Sequence, residues 1–212
     1  MNTRTLLRRL LLLGAPLPLI VVGLIHPRLD GLSASLAQAD VHFALHLALI
    51  PLFGLIGLAG ALLTTGLHGR AASISRGAMA VFVTLYAAYA TLDGVTVGLL
   101  LHAARELPAD QQAGMYQFLG TAFASSLSSA AQLAVALGGT LAWIVGMLAA
   151  VVALARAGAS REPLILLALA GLFLIGDHST FLGSIAFGCF FLAAAWLEFA
   201  PRRSASSRSA TA

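Results

Sequence analysis

Asp40-Val41-His42-Phe43-Ala44-Leu45-His46-Leu47-Ala48-Leu49-Ile50-Pro51 opens a long apolar segment, yet it carries an acid and two histidines at its start. His42 and His46 are four residues apart, so in a helix both imidazoles project from one face, one turn above the other. Ionisable groups at the mouth of an apolar span are expensive to bury, and they mark the first place to look for function.

The composition around this stretch sets the fold class. The 212-residue chain is 59% hydrophobic and 9% charged, with a mean hydropathy of +0.94. Soluble domains are about 25% charged, so the apolar excess has to face lipid. The expected fold is an all-α polytopic transmembrane bundle forming one domain over residues 1–200. A Ser/Ala-rich tail at 201–212 is expected to be disordered and cytoplasmic. All twelve basic residues are arginine, which excludes Schiff-base lysine chemistry. The net charge of +4 sits at helix ends and reads as a topology signal, not as a nucleic-acid footprint. Cys189, the single cysteine, excludes an intramolecular disulfide.

Hydrophobic runs place crossings at about residues 10–26, 41–67, 77–101, 127–155, 163–177 and 181–199. Arg4, Arg8 and Arg9 before the first run could belong to a secretory signal, and Ala37-Gln38-Ala39 resembles a cleavage site. That site lies well beyond the apolar run, so the first segment is expected to stay as an uncleaved helix bent by Pro16 and Pro18. Residues 26–39 read as a polar loop, and Pro51 is expected to kink the second helix. The stretch 114–155 is too long for one crossing. It is expected to be a long helix interrupted near Gly138-Gly139, with two short spans as the alternative. Its first half carries a polar stripe, Gln117, Thr121, Ser125, Ser128 or Ser129, and Gln132. Its second half carries small residues every fourth position, Ala130, Ala134, Gly138, Ala142, Gly146 and Ala150, which lets another helix approach closely.

With six crossings and the N-terminus inside, Arg4, Arg8, Arg9, Arg70, Arg76, Arg156, Arg161, Arg202, Arg203 and Arg208 fall on the cytoplasmic side. Only Arg28 and Arg105 fall outside. This bias predicts two cytoplasmic termini in a bacterial inner membrane.

The same threading sends His26, His42, His46, His102 and His178 outward, together with Asp30, Asp40, Glu106, Asp110 and Asp177. Asp93 lies eight residues before the outer end of its helix, ~12 Å deep. An outward-facing ligand pocket of His42, His46, Tyr89, Asp93, Asp177 and His178 is therefore expected, with the 117–132 polar stripe as one wall. For a metal the expected donors are His42, His46 and His178, with Asp177, His26 and Asp93 as further candidates, since two histidines make only half a site.

An intramembrane Asp with an HxxxH pair is similar to the combination in membrane metal hydrolases of the alkaline ceramidase and adiponectin-receptor type. Those are seven-helix bundles with the pair on the last helix. Here His42 and His46 open the second, and the chain is not assigned to that family. Three functions follow from the residues: binding or transport of a small ligand, metal-dependent hydrolysis, or bis-histidine haem electron transfer, for example through His46 and His178. The expected partners are the lipid bilayer and a small molecule, with no nucleic acid. No P-loop or dinucleotide glycine fingerprint is present.

Overall fold

The computed structural model describes residues 2–27, 29, 31–176 and 181–199, and every regular element among them is helical. In chain order these are α1 (Thr3–Gly14), α2 (Pro16–Ile25), α3 (Leu32–Leu63), α4 (Arg70–Tyr89), a π-helical turn (Ala90–Val95), α5 (Thr96–Arg105), α6 (Ala109–Ala124), α7 (Ser126–Arg156), α8 (Arg161–Leu172), a 3₁₀ turn (Phe173–Gly176) and α9 (Phe181–Phe199). The expected tail at 201–212 lies outside the described residues.

Five segments are long and apolar enough to cross a membrane: Thr3–Ile25, Leu32–Leu63, Arg70–Arg105, Ala130–Arg156 and Phe181–Phe199. Large apolar side chains stand exposed along them, among them Leu24, Leu58, Leu99, Leu141 and Leu192. Surfaces this apolar suit lipid and not water, and the chain has the build of a membrane protein. The stretch expected as a further crossing at 163–177 is α8 continued by the 3₁₀ turn. At 1.5 and 2.0 Å per residue these span about 26 Å, slightly under the ~30 Å hydrocarbon core.

Two boundaries differ from expectation for physical reasons. Residues 32–39, expected as loop, form the first turns of α3. Leu36 and Ala39 bury one face against Leu101, Ala104 and Leu119, and that packing outweighs the Ser and Gln content of the stretch. Gly31, at φ 86°, makes the sharp backbone turn from which α3 starts, a conformation that costs glycine nothing. The long stretch 114–155 breaks at Ser125, whose backbone is extended at φ −60°, ψ 145°, and not at Gly138-Gly139. Those glycines lie inside α7, where a side chain at Gly138 would meet Leu85 and one at Gly139 would meet Tyr86. Small residues there permit close approach to α4. Helix α3 continues through Pro51.

The core is organised on α7 and α4. Trp143 is fully buried, packs on Phe82, Phe187 and Phe190, and donates its indole N–H to the Ala170 carbonyl at 2.8 Å. Of the small-residue ridge, Ala142, Gly146 and Ala150 are buried, whereas Ala130 and Ala134 are exposed. Gly146 sits against the Met79 side chain, and a Cβ there would also touch Ala78 at 3.4 Å. At one end of the bundle Glu198 pairs with Arg8 at 2.8 Å and Arg9 at 3.4 Å, while Arg8 also donates to the Leu62 carbonyl at 3.1 Å. At the other end Asp40 pairs with His102 at 2.6 Å and Arg105 at 2.9 Å, tying the start of α3 to the end of α5.

Candidate metal centre and adjoining cavity

The second end of the bundle carries the histidines. His42 and His46 point inward from α3, with 4% and 1% of their surface exposed. His26 follows α2 and brings its ring over both. The ring centroids lie 4.2 Å apart for His42 and His46, 5.0 Å for His26 and His46, and 5.9 Å for His26 and His42. One nitrogen from each ring falls within 4.8 Å of one from each of the other two, close enough for a small inward shift to bring all three onto one metal ion.

Backbone carbonyls fix the tautomers of two of these rings. His26 Nδ1 donates to the Pro27 carbonyl at 3.1 Å, and His46 Nδ1 donates to the His42 carbonyl at 2.9 Å. A carbonyl oxygen only accepts, so both protons sit on Nδ1 and both Nε2 atoms present lone pairs. Those Nε2 atoms face each other at 3.4 Å. Two acceptors at that distance need a cation or an extra proton between them. Tetrahedral coordination with bonds of 2.0–2.1 Å sets ligand atoms about 3.3–3.4 Å apart. Both nitrogens of His42 are buried, and the ring faces the backbone of Asp93.

The wall opposite the histidines is built by the α4–α5 junction. The π-helical turn at Ala90–Val95 adds one residue to the helical repeat and contains Asp93. Such turns recur at functional sites because they re-aim side chains within an otherwise regular helix. Gly94 faces the His46 ring so closely that a Cβ would fall on the ring carbons, and a Cβ on Gly98 would lie 2.7–2.8 Å from the backbone and Cβ of Phe43. Gly94-Val95-Thr96-Val97-Gly98 is thus a small-xxx-small contact on which α3 lies. The sequence reading overlooked this pair, although the spacing is written in it.

A cavity of about 280 Å³ adjoins the cluster. Its polar lining is Ser35, His42, Asp93 and Tyr116, and its apolar lining includes Leu29, Val97, Leu101 and Leu119. His42 belongs to both the cluster and the cavity.

The structure therefore gathers His42, His46 and the Asp93–Gly94 turn, with His26 as the third imidazole. Asp177 and His178 lie outside the described residues. Tyr89 is not in the cavity lining; its ring packs at 6.0 Å from that of Tyr86, because the π turn rotates Asp93 out of the regular four-residue register. Tyr86 is buried and its hydroxyl meets that of Thr140 at 3.1 Å. Of the polar stripe, the side chains of Ser128 and Ser129 lie outside the described residues. Gln117 and Thr121 are exposed, and α6 turns Tyr116, Leu119 and Gly120 to the cavity. Asp40 is engaged at the surface by His102 and Arg105.

Comparison with protein-family models, curated proteins and solved structures finds no match.

Proposed function

We propose that this is a multi-pass membrane protein that binds a divalent transition-metal ion through His26, His42 and His46 at an outward-facing polar pocket. The observation that carries this reading is the pair of Nε2 lone pairs 3.4 Å apart, with both Nδ1 protons committed to carbonyl oxygens. Carbonyls that accept from the far ring nitrogen orient metal-binding imidazoles and fix the nitrogen they offer. Three imidazole nitrogens suit zinc, copper, iron or nickel, and not calcium or magnesium. Imidazole ligands bring no negative charge, so Asp93 on the adjoining wall is the acidic group of the cavity lining that could compensate a bound cation.

Of the alternatives, a bis-histidine haem has no room between His42 and His46, whose ring centroids are 4.2 Å apart, and the pairing of His46 with His178 involves a residue outside the described ones. His178, expected from the sequence as a metal ligand, lies outside the described residues, and among those His26 supplies the third imidazole.

Six crossings with both termini cytoplasmic complete the proposal. The contact of Arg8 with Glu198 supports an even number of crossings, and the arginine bias supports the orientation. On this reading the histidine cluster opens away from the cytoplasm.

The test is metal analysis of protein purified without an affinity tag that itself binds metal. One equivalent of zinc, copper, iron or nickel is expected, falling below about 0.1 equivalent in His42→Ala and His46→Ala. A metal-free protein that also fails to take up cobalt(II) or zinc in titration refutes the centre and leaves a proton shared between His26 and His46.

A further inference from the structure

We infer that the groove between α1–α2 and α3, at the opposite end of the bundle from the histidines, holds one acyl chain of an anionic phospholipid, with the lipid phosphate on Arg4. The groove is a space of about 370 Å³ walled by Leu7, Leu11 and Pro18 on one side and by Leu52 and Leu55 of α3 on the other. Part of it lies over Gly14, where a Cβ would meet nothing within 4 Å. No polar side chain lines it among the described residues, so water gains no hydrogen bonds there. Its walls belong to two segments apolar enough to cross a membrane. An acyl chain from the surrounding lipid restores the dispersion contacts that an empty groove forfeits.

Length and charge narrow the lipid. Ala15 keeps a helical φ of −63° and ψ of −41° between α1 and α2, so the rise from Leu7 to Pro18 is ~16 Å. That is about half of the ~30 Å hydrocarbon core, the depth of one leaflet. At ~30 Å³ for a water-sized group, 370 Å³ holds about twelve carbons, most of one acyl chain. Arg4 stands one turn beyond the mouth, three residues before Leu7 and on the same helical face. It is exposed and forms no ion pair among the described residues, whereas Arg8 and Arg9 are held by Glu198. Arg4 also lies in the first turn of α1, which carries no acidic residue. The positive end of a helix disfavours arginine and attracts anions, so Arg4 weakens its own helix unless an anion sits beside it. A lipid phosphate meets that demand, and its acyl chain leads directly into the groove. The inference rests on the membrane build alone and is independent of the metal centre.

Photolabelling of the full-length detergent-solubilised protein tests this, with phosphatidylglycerol and phosphatidylcholine of identical chains, each carrying a diazirine on one chain. Labels are expected on the peptides that contain Gly14 and Leu55. Phosphatidylglycerol should reach half-maximal labelling at about fivefold lower concentration, the attraction of one arginine for an anionic lipid. Arg4→Gln should remove that preference, and Arg156→Gln, in the last turn of α7, should leave it intact. Gly14→Leu fills the groove and should abolish labelling by both lipids. Leu55→Trp fills it from α3 and decides the matter should Gly14→Leu fail to fold. Equal labelling by the two lipids overturns the inference, as does a preference that survives Arg4→Gln or falls equally in Arg156→Gln. Groove labels that persist in the filled variants overturn it too. Absent labels with cross-linking through Leu7 to a second copy assign the groove to a dimer and refute the lipid.

Discussion

Gly94→Ala is the most revealing single change, because the added atom is one methyl and its collision partner is the proposed ligand His46. The new Cβ would fall on the His46 Cγ, Cδ2 and Cβ atoms. Non-bonded carbons settle at about 3.5–4.0 Å, so the ring or the π-helical turn has to retreat by more than about 1 Å. The backbone on the far side is held too, since Gly98 already rests on Phe43. Overpacking of this kind costs ~1–3 kcal/mol. Metal–ligand distances tolerate only about ±0.2 Å, so the same displacement removes His46 from coordination. The expected outcome is a detergent-solubilised protein of lowered melting temperature with zinc affinity weakened about 100-fold, a larger loss than a distant destabilising mutation gives. Gly188→Ala is the control: nothing lies within 4 Å of a Cβ there, and alanine favours a helix interior by roughly 0.5–1 kcal/mol. Both quantities are measurable on one preparation, by thermal unfolding and by competition titration against a chromophoric chelator. Wild-type zinc affinity in a folded Gly94→Ala protein would falsify the close seating of His46 and its role as a ligand together.

Other outcomes follow from the same coordinates. Zinc at a hundredfold excess over its dissociation constant is expected to stabilise the native protein by ~2.7 kcal/mol, and a chelator should reverse the shift; His26→Ala should remove both effects. Gly146→Leu is expected to destabilise far more than Leu148→Ala, because Gly146 is seated on Met79 whereas Leu148 is 41% exposed; equal melting temperatures would place that face of α7 against lipid. Trp143→Phe should cost ~1–3 kcal/mol by leaving the buried Ala170 carbonyl without its donor; a neutral result in thermal unfolding contradicts the 2.8 Å bond. A reporter active only outside the cytoplasm is expected to be silent when fused after Ala212 and active when inserted near Ala109; a strong C-terminal signal refutes the proposed orientation.

Composition and hydrophobic runs determine by themselves that this chain is a helical membrane protein, because no soluble core can absorb so much apolar surface. The arginine distribution is likewise a linear property, and it carries the orientation that we propose. The suspicion attached to His42 and His46 also needed only their four-residue spacing and the cost of burying them. What tertiary structure decided is which groups meet. His26 and His46 are twenty residues apart, and only the turn at Gly31 and the packing of α2 on α9 and α3 set their rings together. The π-helical turn changes the register between Tyr89 and Asp93 by one residue, so a face drawn from the 3.6-residue period does not carry across it. The helical start at Leu32 was fixed by contacts of Leu36 and Ala39 with distant residues. Local propensity is worth tenths of a kilocalorie per residue, whereas a buried leucine is worth ~1.5–3 kcal/mol. Burial therefore overrode the polar residues at the start of α3, and the partners that supply it are far away in the chain.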